Sequence, residues 1–102
     1  MMLQRLPDGL VKYGGTPVFT EKTVPVKLLR AHDTKPGVWG NLVVLDGALD
    51  YVIPGPPEET ARIKAGDSGI IEPEVKHYVR PLGPVSFHVD FYRTAAPTPK
   101  GT

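Results

Sequence analysis

The chain has 102 residues, 40% of them hydrophobic and 23% charged, with a formal net charge of +1 and no cysteine. This composition fits one globular domain and excludes a disordered chain, and the missing cysteine excludes disulfides, thiolate metal sites and cysteine nucleophiles. The near-neutral charge gives no reason to expect nucleic acid or an acidic membrane surface as a partner. No apolar run approaches the roughly 20 residues of a membrane helix, and the first residues lack the apolar core of a secretion signal. We therefore expect a cytoplasmic protein with no membrane partner.

The first half of the chain consists of short apolar runs interrupted by glycine and proline, a pattern typical of strands joined by tight turns. Residues 6–20 predict two short edge strands. Residues 23–32 predict a longer extended run, with Pro25 at an edge or bulge. The clearest signal is in residues 41–53, where two apolar runs flank Asp46-Gly47, a dipeptide that favours a hairpin turn.

The second half alternates more regularly. In residues 60–67 apolar and charged side chains alternate, which predicts a half-buried strand with Ile63 facing inward. Further strands are expected at residues 68–73, 75–80 and 85–92. About eight or nine strands in total are too many for one open sheet to cover its own face, so we predict an all-β single domain that curls into a barrel.

Three histidines, His32, His77 and His88, each lie in or beside a predicted strand and could converge inside a barrel. Neutral imidazole is a common metal ligand, so these residues with a carboxylate from Glu72 or Glu74 would suit a divalent first-row metal: zinc, nickel, manganese or iron. The alternative is three unrelated histidines, because no short spacing links them. His88 shares the polar face of its strand and points to solvent or to a partner if the Phe face fills the core.

Two further residues are candidates for binding a ligand. Lys35 could donate hydrogen bonds to a small anion near His32 and His77. Trp39, the single tryptophan, is either a core or rim anchor or a platform on which a ligand stacks. Burying the carboxylate of Glu72 in an apolar strand would cost free energy unless the group is paired or metal-bound; the alternative is that it faces outward.

Residues 66–77 resemble the second motif of the cupins: a Gly-Asp turn, a proline and a histidine entering the next strand. The first cupin motif is matched only in part. His32 stands at its first histidine and Asp46-Gly47 at its closing turn, whereas Thr34 stands where a second histidine is usual.

A closer resemblance is to the small cupin family that includes the N-terminal domain of tellurite-resistance protein B and the stand-alone YeaR-like proteins. Residues 32–40 and 72–77 carry it most specifically, and it extends over residues 17–93. It implies a cupin-type β-barrel (a double-stranded β-helix or jelly roll) in a bacterial cytoplasm, associated with oxyanion or nitrosative stress. The methyltransferase domain of full-length tellurite-resistance proteins is not expected in this chain.

Together these observations predict a cupin-like barrel over residues 1–93 and a flexible tail over residues 94–102. The leading functional hypothesis is a stress-associated protein that binds a divalent metal or small anion in the barrel mouth. One alternative is a metal-dependent cupin enzyme, a dioxygenase or isomerase, acting on a small molecule. The other is a non-catalytic interaction module that forms a homodimer through the stripe of His88, Asp90 and Tyr92.

Overall fold

The computed structural model describes residues 5–94 and shows an all-β protein, as the sequence predicts. The regular elements of this described part are six strands and one short 3-10 helix: β1 (Leu10–Gly15), β2 (Phe19–Thr20), the 3-10 helix (Val26–Leu29), β3 (Trp39–Ile53), β4 (Glu59–Lys64), β5 (Ser68–Ile71) and β6 (Tyr78–Thr94). Within the described residues, no helix has the length and apolar character needed to cross a bilayer. The predicted tail lies outside the described residues from position 95 onward.

Two long antiparallel strands, β3 and β6, form the centre of the sheet. The hydrogen-bonded order is β1-β6-β3-β4; β2 is added to β6 and β5 to β3. The first half of β3 pairs with β5 and the second half with β4. Within the described residues this hydrogen-bonded path ends at β1 and β4 and does not close on itself, so the strands form an open antiparallel sheet.

The predicted hairpin at Asp46-Gly47 is wrong, because β3 continues through it. Both residues pair with β6, and the register shifts on either side of them mark a bulge. Gly47 has a φ of 73°, so its left-handed backbone bends a strand rather than reversing the chain. Gly83 in β6 also has left-handed backbone, with a φ of 99°, and bends that strand in the same region. Runs that were expected as separate strands are therefore the bent halves of two long ones.

The predicted extended run over residues 23–32 is also wrong in its middle. Pro25 has extended backbone and accepts a hydrogen bond from the Leu28 amide at 3.0 Å, which starts one turn of 3-10 helix. This turn places Leu28 against the core. The connection between β2 and β3 therefore crosses one face of the sheet.

The core lies on the sheet face that this connection covers. Ile63 of β4 is buried as expected. The apolar face of β6, whose direction the sequence left open, points inward: Val85, Phe87 and Val89 are buried and Phe91 is partly buried. Leu42 and Val44 of β3 join them in one apolar cluster. Burying a side chain the size of Phe87 stabilises the folded state by about 1.5–3 kcal/mol. Because several such side chains share one face of the sheet, their burial determines which side of each strand points inward.

Candidate functional site

His32 and His77, 45 positions apart in the chain, are direct neighbours across a short antiparallel bridge. The His32 amide donates to the His77 carbonyl at 3.0 Å, and the His77 amide donates to the His32 carbonyl at 2.8 Å. Residues paired in this way project side chains to the same side. The two imidazole centroids are accordingly 4.3 Å apart, with the rings inclined at 58°.

Each ring is fixed by a hydrogen bond from Nδ1 to the backbone carbonyl two residues earlier. The His77 bond to Val75 measures 2.8 Å and the His32 bond to Arg30 measures 3.1 Å. Because a carbonyl oxygen can only accept, the Nδ1 atom of each ring carries a proton. Each Nε2 is left with a free lone pair, and within residues 5–94 neither forms a hydrogen bond.

Burial keeps His77 uncharged. The residue is 2% exposed, and loss of solvent lowers the pKa of its imidazole. The hydrogen bond to Val75 opposes this effect, the neighbouring His32 adds to it, and the charge of Asp33 opposes it. At neutral pH His77 is therefore a neutral acceptor through Nε2.

The two histidines line a cavity of about 380 Å³ between the sheet and the connection that precedes β3. Half of its lining is apolar or aromatic and comes from both sides of this space: Phe19, Pro25, Leu28, Ile71, Val89 and Phe91. The polar part consists of Thr16, Lys27, His32, Asp33, Thr34 and His77. The cavity therefore combines apolar surface, which can bind an apolar group, with a pair of imidazoles that can bind a polar group or a metal.

The buried ring of Tyr51 packs against the ring of His77. This residue was not singled out from the sequence. Its ring lies 5.3 Å from the His77 ring, and its side chain is 1% exposed. The hydroxyl has no hydrogen-bond partner among the described residues. Burial, with the negative charge of Glu72 as a smaller cause, raises the pKa of Tyr51 well above its usual value, so the hydroxyl stays protonated. Nothing in the sequence of residues 49–53 distinguishes this tyrosine from a packing residue.

The structure does not bring the other candidate residues to the cavity. Glu72 is half-buried and outside the cavity lining, although it is close enough to influence Tyr51. Lys35 is exposed in the loop before β3, and Trp39 begins β3 opposite Tyr92. Lys27 and Thr34, which were not proposed as ligands, lie in the lining instead.

His88 lies on the opposite face of the sheet. It sits between the buried Phe87 and Val89, and side chains alternate along a strand, so its ring points away from them. Its Nδ1 is 3.3 Å from an Asp90 carboxylate oxygen. Among residues 5–94 no cluster of three or more His, Cys, Asp or Glu side chains is arranged to hold a metal ion.

The sequence model of the TehB-like domain matches residues 15–89, which span β2 to most of β6 and include both histidines. The chain belongs to the TehB-like domain family. The family resemblance seen in the sequence is thereby confirmed.

Relatives and solved structures agree with membership of the TehB-like family. The chain is 28% identical over 100 residues to the uncharacterized protein YeaR of Escherichia coli (strain K12), covering 89% of this chain and 83% of YeaR. A crystal structure of an E. coli (strain K12) protein superposes with a TM-score of 0.83 at 24% identity, covering 92% of this chain and 100% of that one, which shows a shared fold. TehB from Haemophilus influenzae superposes with a TM-score of 0.77 at 26% identity. That match covers 85% of this chain but 32% of TehB, so the chain spans about a third of TehB.

Proposed function

We propose that this TehB-like protein is a small cytoplasmic, stress-associated binding domain that holds a divalent first-row metal through Nε2 of His32 and His77. Membership of the TehB-like family supports the general setting. The association with oxyanion or nitrosative stress comes from the resemblance to tellurite-resistance protein B. The single observation that carries the proposal is the pair of anchored imidazoles in one cavity wall.

The donor set fits a metal better than a bare anion. In metal sites, a ligating histidine almost always donates its other ring nitrogen to a carbonyl or carboxylate, and both rings have this arrangement. A free lone pair on a neutral imidazole attracts a cation and repels an anion. Two protein nitrogens leave coordination positions open, and a metal held there would supply a Lewis acid for a small anion or organic ligand. An anion bound without metal would need the ammonium of Lys27, the basic residue in the cavity lining.

The same proposal includes a cupin-type barrel as the scaffold. The bends at Gly47 and Gly83 fall in the two long strands, and bulges of this kind curve a sheet towards closure. In such a barrel, the cavity between the sheet and the connection before β3 would be the interior. Nuclear Overhauser contacts in solution that continue from the β4 edge towards β1 would support closure, and their absence would contradict it.

Metal binding is tested with protein purified without a histidine tag. Elemental analysis and calorimetric titration with zinc, nickel, manganese and ferrous iron should reveal one site per chain. His32→Gln and His77→Gln should each weaken that site at least about tenfold. His88→Gln, the matched control on the opposite face, should leave it unchanged. Absence of bound metal together with no thermal shift on addition of these metals or tellurite would overturn the proposal.

The second candidate function is a metal-dependent enzyme, a dioxygenase or isomerase. The observation that favours it is the size of the cavity, because about 380 Å³ lies within the range of small-molecule sites. Oxygen uptake and substrate turnover after iron or manganese loading would test it, and no activity with either metal in a substrate screen would count against it.

A further inference from the structure

The cavity is much larger than a bare metal ion or inorganic oxyanion. At roughly 30 Å³ of liquid volume per water molecule, about 380 Å³ corresponds to the space of about a dozen waters. An oxyanion with four or so heavy atoms would occupy only a fraction of it. The remaining space suits an organic body.

The apolar residues that line this space come from two parts of the fold. Pro25 and Leu28 belong to the connection before β3, and Phe19, Ile71, Val89 and Phe91 belong to strands of the sheet. Water in such a space finds few polar partners, and a molecule with an aromatic or branched body would replace it favourably. A site of this kind selects its ligand by shape and by the few polar groups at its edge.

The charged groups of the cavity favour one negative charge on the ligand. Asp33 already has a cationic neighbour, since Lys76 Nζ lies 3.8 Å from its carboxylate. Lys27 also lines the cavity, and among residues 5–94 its ammonium has no acidic partner. The lining together with the Asp33–Lys76 pair therefore has one uncompensated positive charge, and the buried, uncharged imidazole of His77 adds none.

We propose that this cavity binds a small organic acid, a molecule with an aromatic or branched apolar body and a single carboxylate. The apolar body packs between Leu28 and the sheet, and the carboxylate faces the ammonium of Lys27. This rests on the proposed function in one respect, that the cavity is the binding site. It does not require a bound metal, although a metal on the histidine pair would offer the carboxylate a second partner.

Benzoate is the probe, and benzyl alcohol and benzylamine are its neutral and cationic counterparts of similar shape. Nuclear magnetic resonance titrations are run on the full chain, first after metal removal with a chelator and then after loading with zinc. Benzoate should produce saturable shifts at millimolar concentration in the amides of cavity-lining residues, and it should bind at least about tenfold more tightly than benzylamine.

Two pairs of variants locate the ligand. Leu28→Trp fills the cavity and should weaken benzoate binding at least about tenfold, whereas Leu29→Trp, on the exposed side of the same turn, should have no effect. Lys27→Gln should weaken benzoate binding about two- to fivefold without changing that of benzyl alcohol, and the exposed Lys22→Gln is the control. Circular dichroism establishes that each variant is folded.

The outcomes separate this inference from the metal proposal. Benzoate binding to metal-free protein supports the inference even if no metal binds. Metal binding with no benzoate shifts in either form overturns the inference and leaves the metal proposal standing. Equal affinity for benzoate and benzylamine, or unchanged benzoate binding in Leu28→Trp with shifts outside the cavity, would also overturn it.

Discussion

Replacing His77 with glutamine should remove a pH dependence of stability that the buried imidazole creates. Burial lowers the pKa of His77 in the folded protein, whereas in the unfolded chain the group titrates near its usual value of about 6.5. Below that pH the unfolded state binds more protons than the folded state. The free energy of unfolding therefore falls as the pH drops from about 6.5 towards the lowered pKa, and it is at its full value above 6.5.

The magnitude follows from the linkage of one proton. Between pH 7.5 and 5.5 a single buried histidine contributes at most about 1.4 kcal/mol to the change in unfolding free energy. The lower limit of pH 5.5 keeps ordinary carboxylates ionised, so that they do not contribute. With the side chain of His77 2% exposed, solvent screening reduces this value little.

Urea unfolding at pH 7.5 and 5.5 measures the effect for the wild type, His77→Gln and His88→Gln. The wild type and His88→Gln should both lose stability at the lower pH, and His77→Gln should lose less than either. The His88 variant is the matched control because it removes an imidazole from the opposite face. An equal loss in all three proteins, or a wild type that gains stability at pH 5.5, would refute the reasoning.

Three further substitutions test the bend and the opposite face of the sheet. Gly47→Ala should cost at least about 2 kcal/mol of unfolding free energy in urea titrations, because a Cβ there would meet the backbone of β6 at positive φ. Gly83→Ala, also at positive φ but with open space around the new Cβ, should cost only about 1–2 kcal/mol, and equal costs would contradict the packing argument. Asp50→Asn should cost about 1–3 kcal/mol at pH 7 because Asp50 is 5% exposed and accepts from Arg62 at 3.0 Å, with Arg80 at 3.5 Å. The hydrogen bond from Arg62 is the main cause that lowers the pKa of the Asp50 carboxyl, and Arg80 lowers it further. The difference in unfolding free energy between wild type and Asp50→Asn should therefore persist above pH 4 and shrink below it. A difference that grows on acidification would contradict the ion pair.

The strand pattern of the second half could be predicted from sequence because the alternation there is local. Period-two alternation predicted that Ile63 faces inward and that Phe87 and Val89 share one face of β6, and the structure shows that this shared face is the buried one. Asp46-Gly47 could not be resolved in the same way. A glycine with positive φ serves a hairpin and a bulge equally well, and only the pairing with β6 on both sides decides for the bulge.

The candidate site could be predicted only in part. The sequence suggested that His32 and His77 approach each other, and the structure places their rings side by side; their role as ligands remains a proposal. The positions of Lys27 and Tyr51 could not be foreseen, because both depend on the tertiary arrangement. Lys27 reaches the cavity through a turn of 3-10 helix where an extended run was expected. Tyr51 lies behind His77 because the bulges in β3 shift its register.

The most direct test of the histidine pair is its tautomeric state, read from the ring nitrogens of ¹⁵N-labelled histidine at pH 7.5 before and after zinc. We predict that His32 and His77 both have a protonated Nδ1 and an unprotonated Nε2, and that zinc shifts the Nε2 resonances of these two rings but not that of His88. Protonated Nε2 in either ring of the pair, or a zinc response confined to His88, would contradict it.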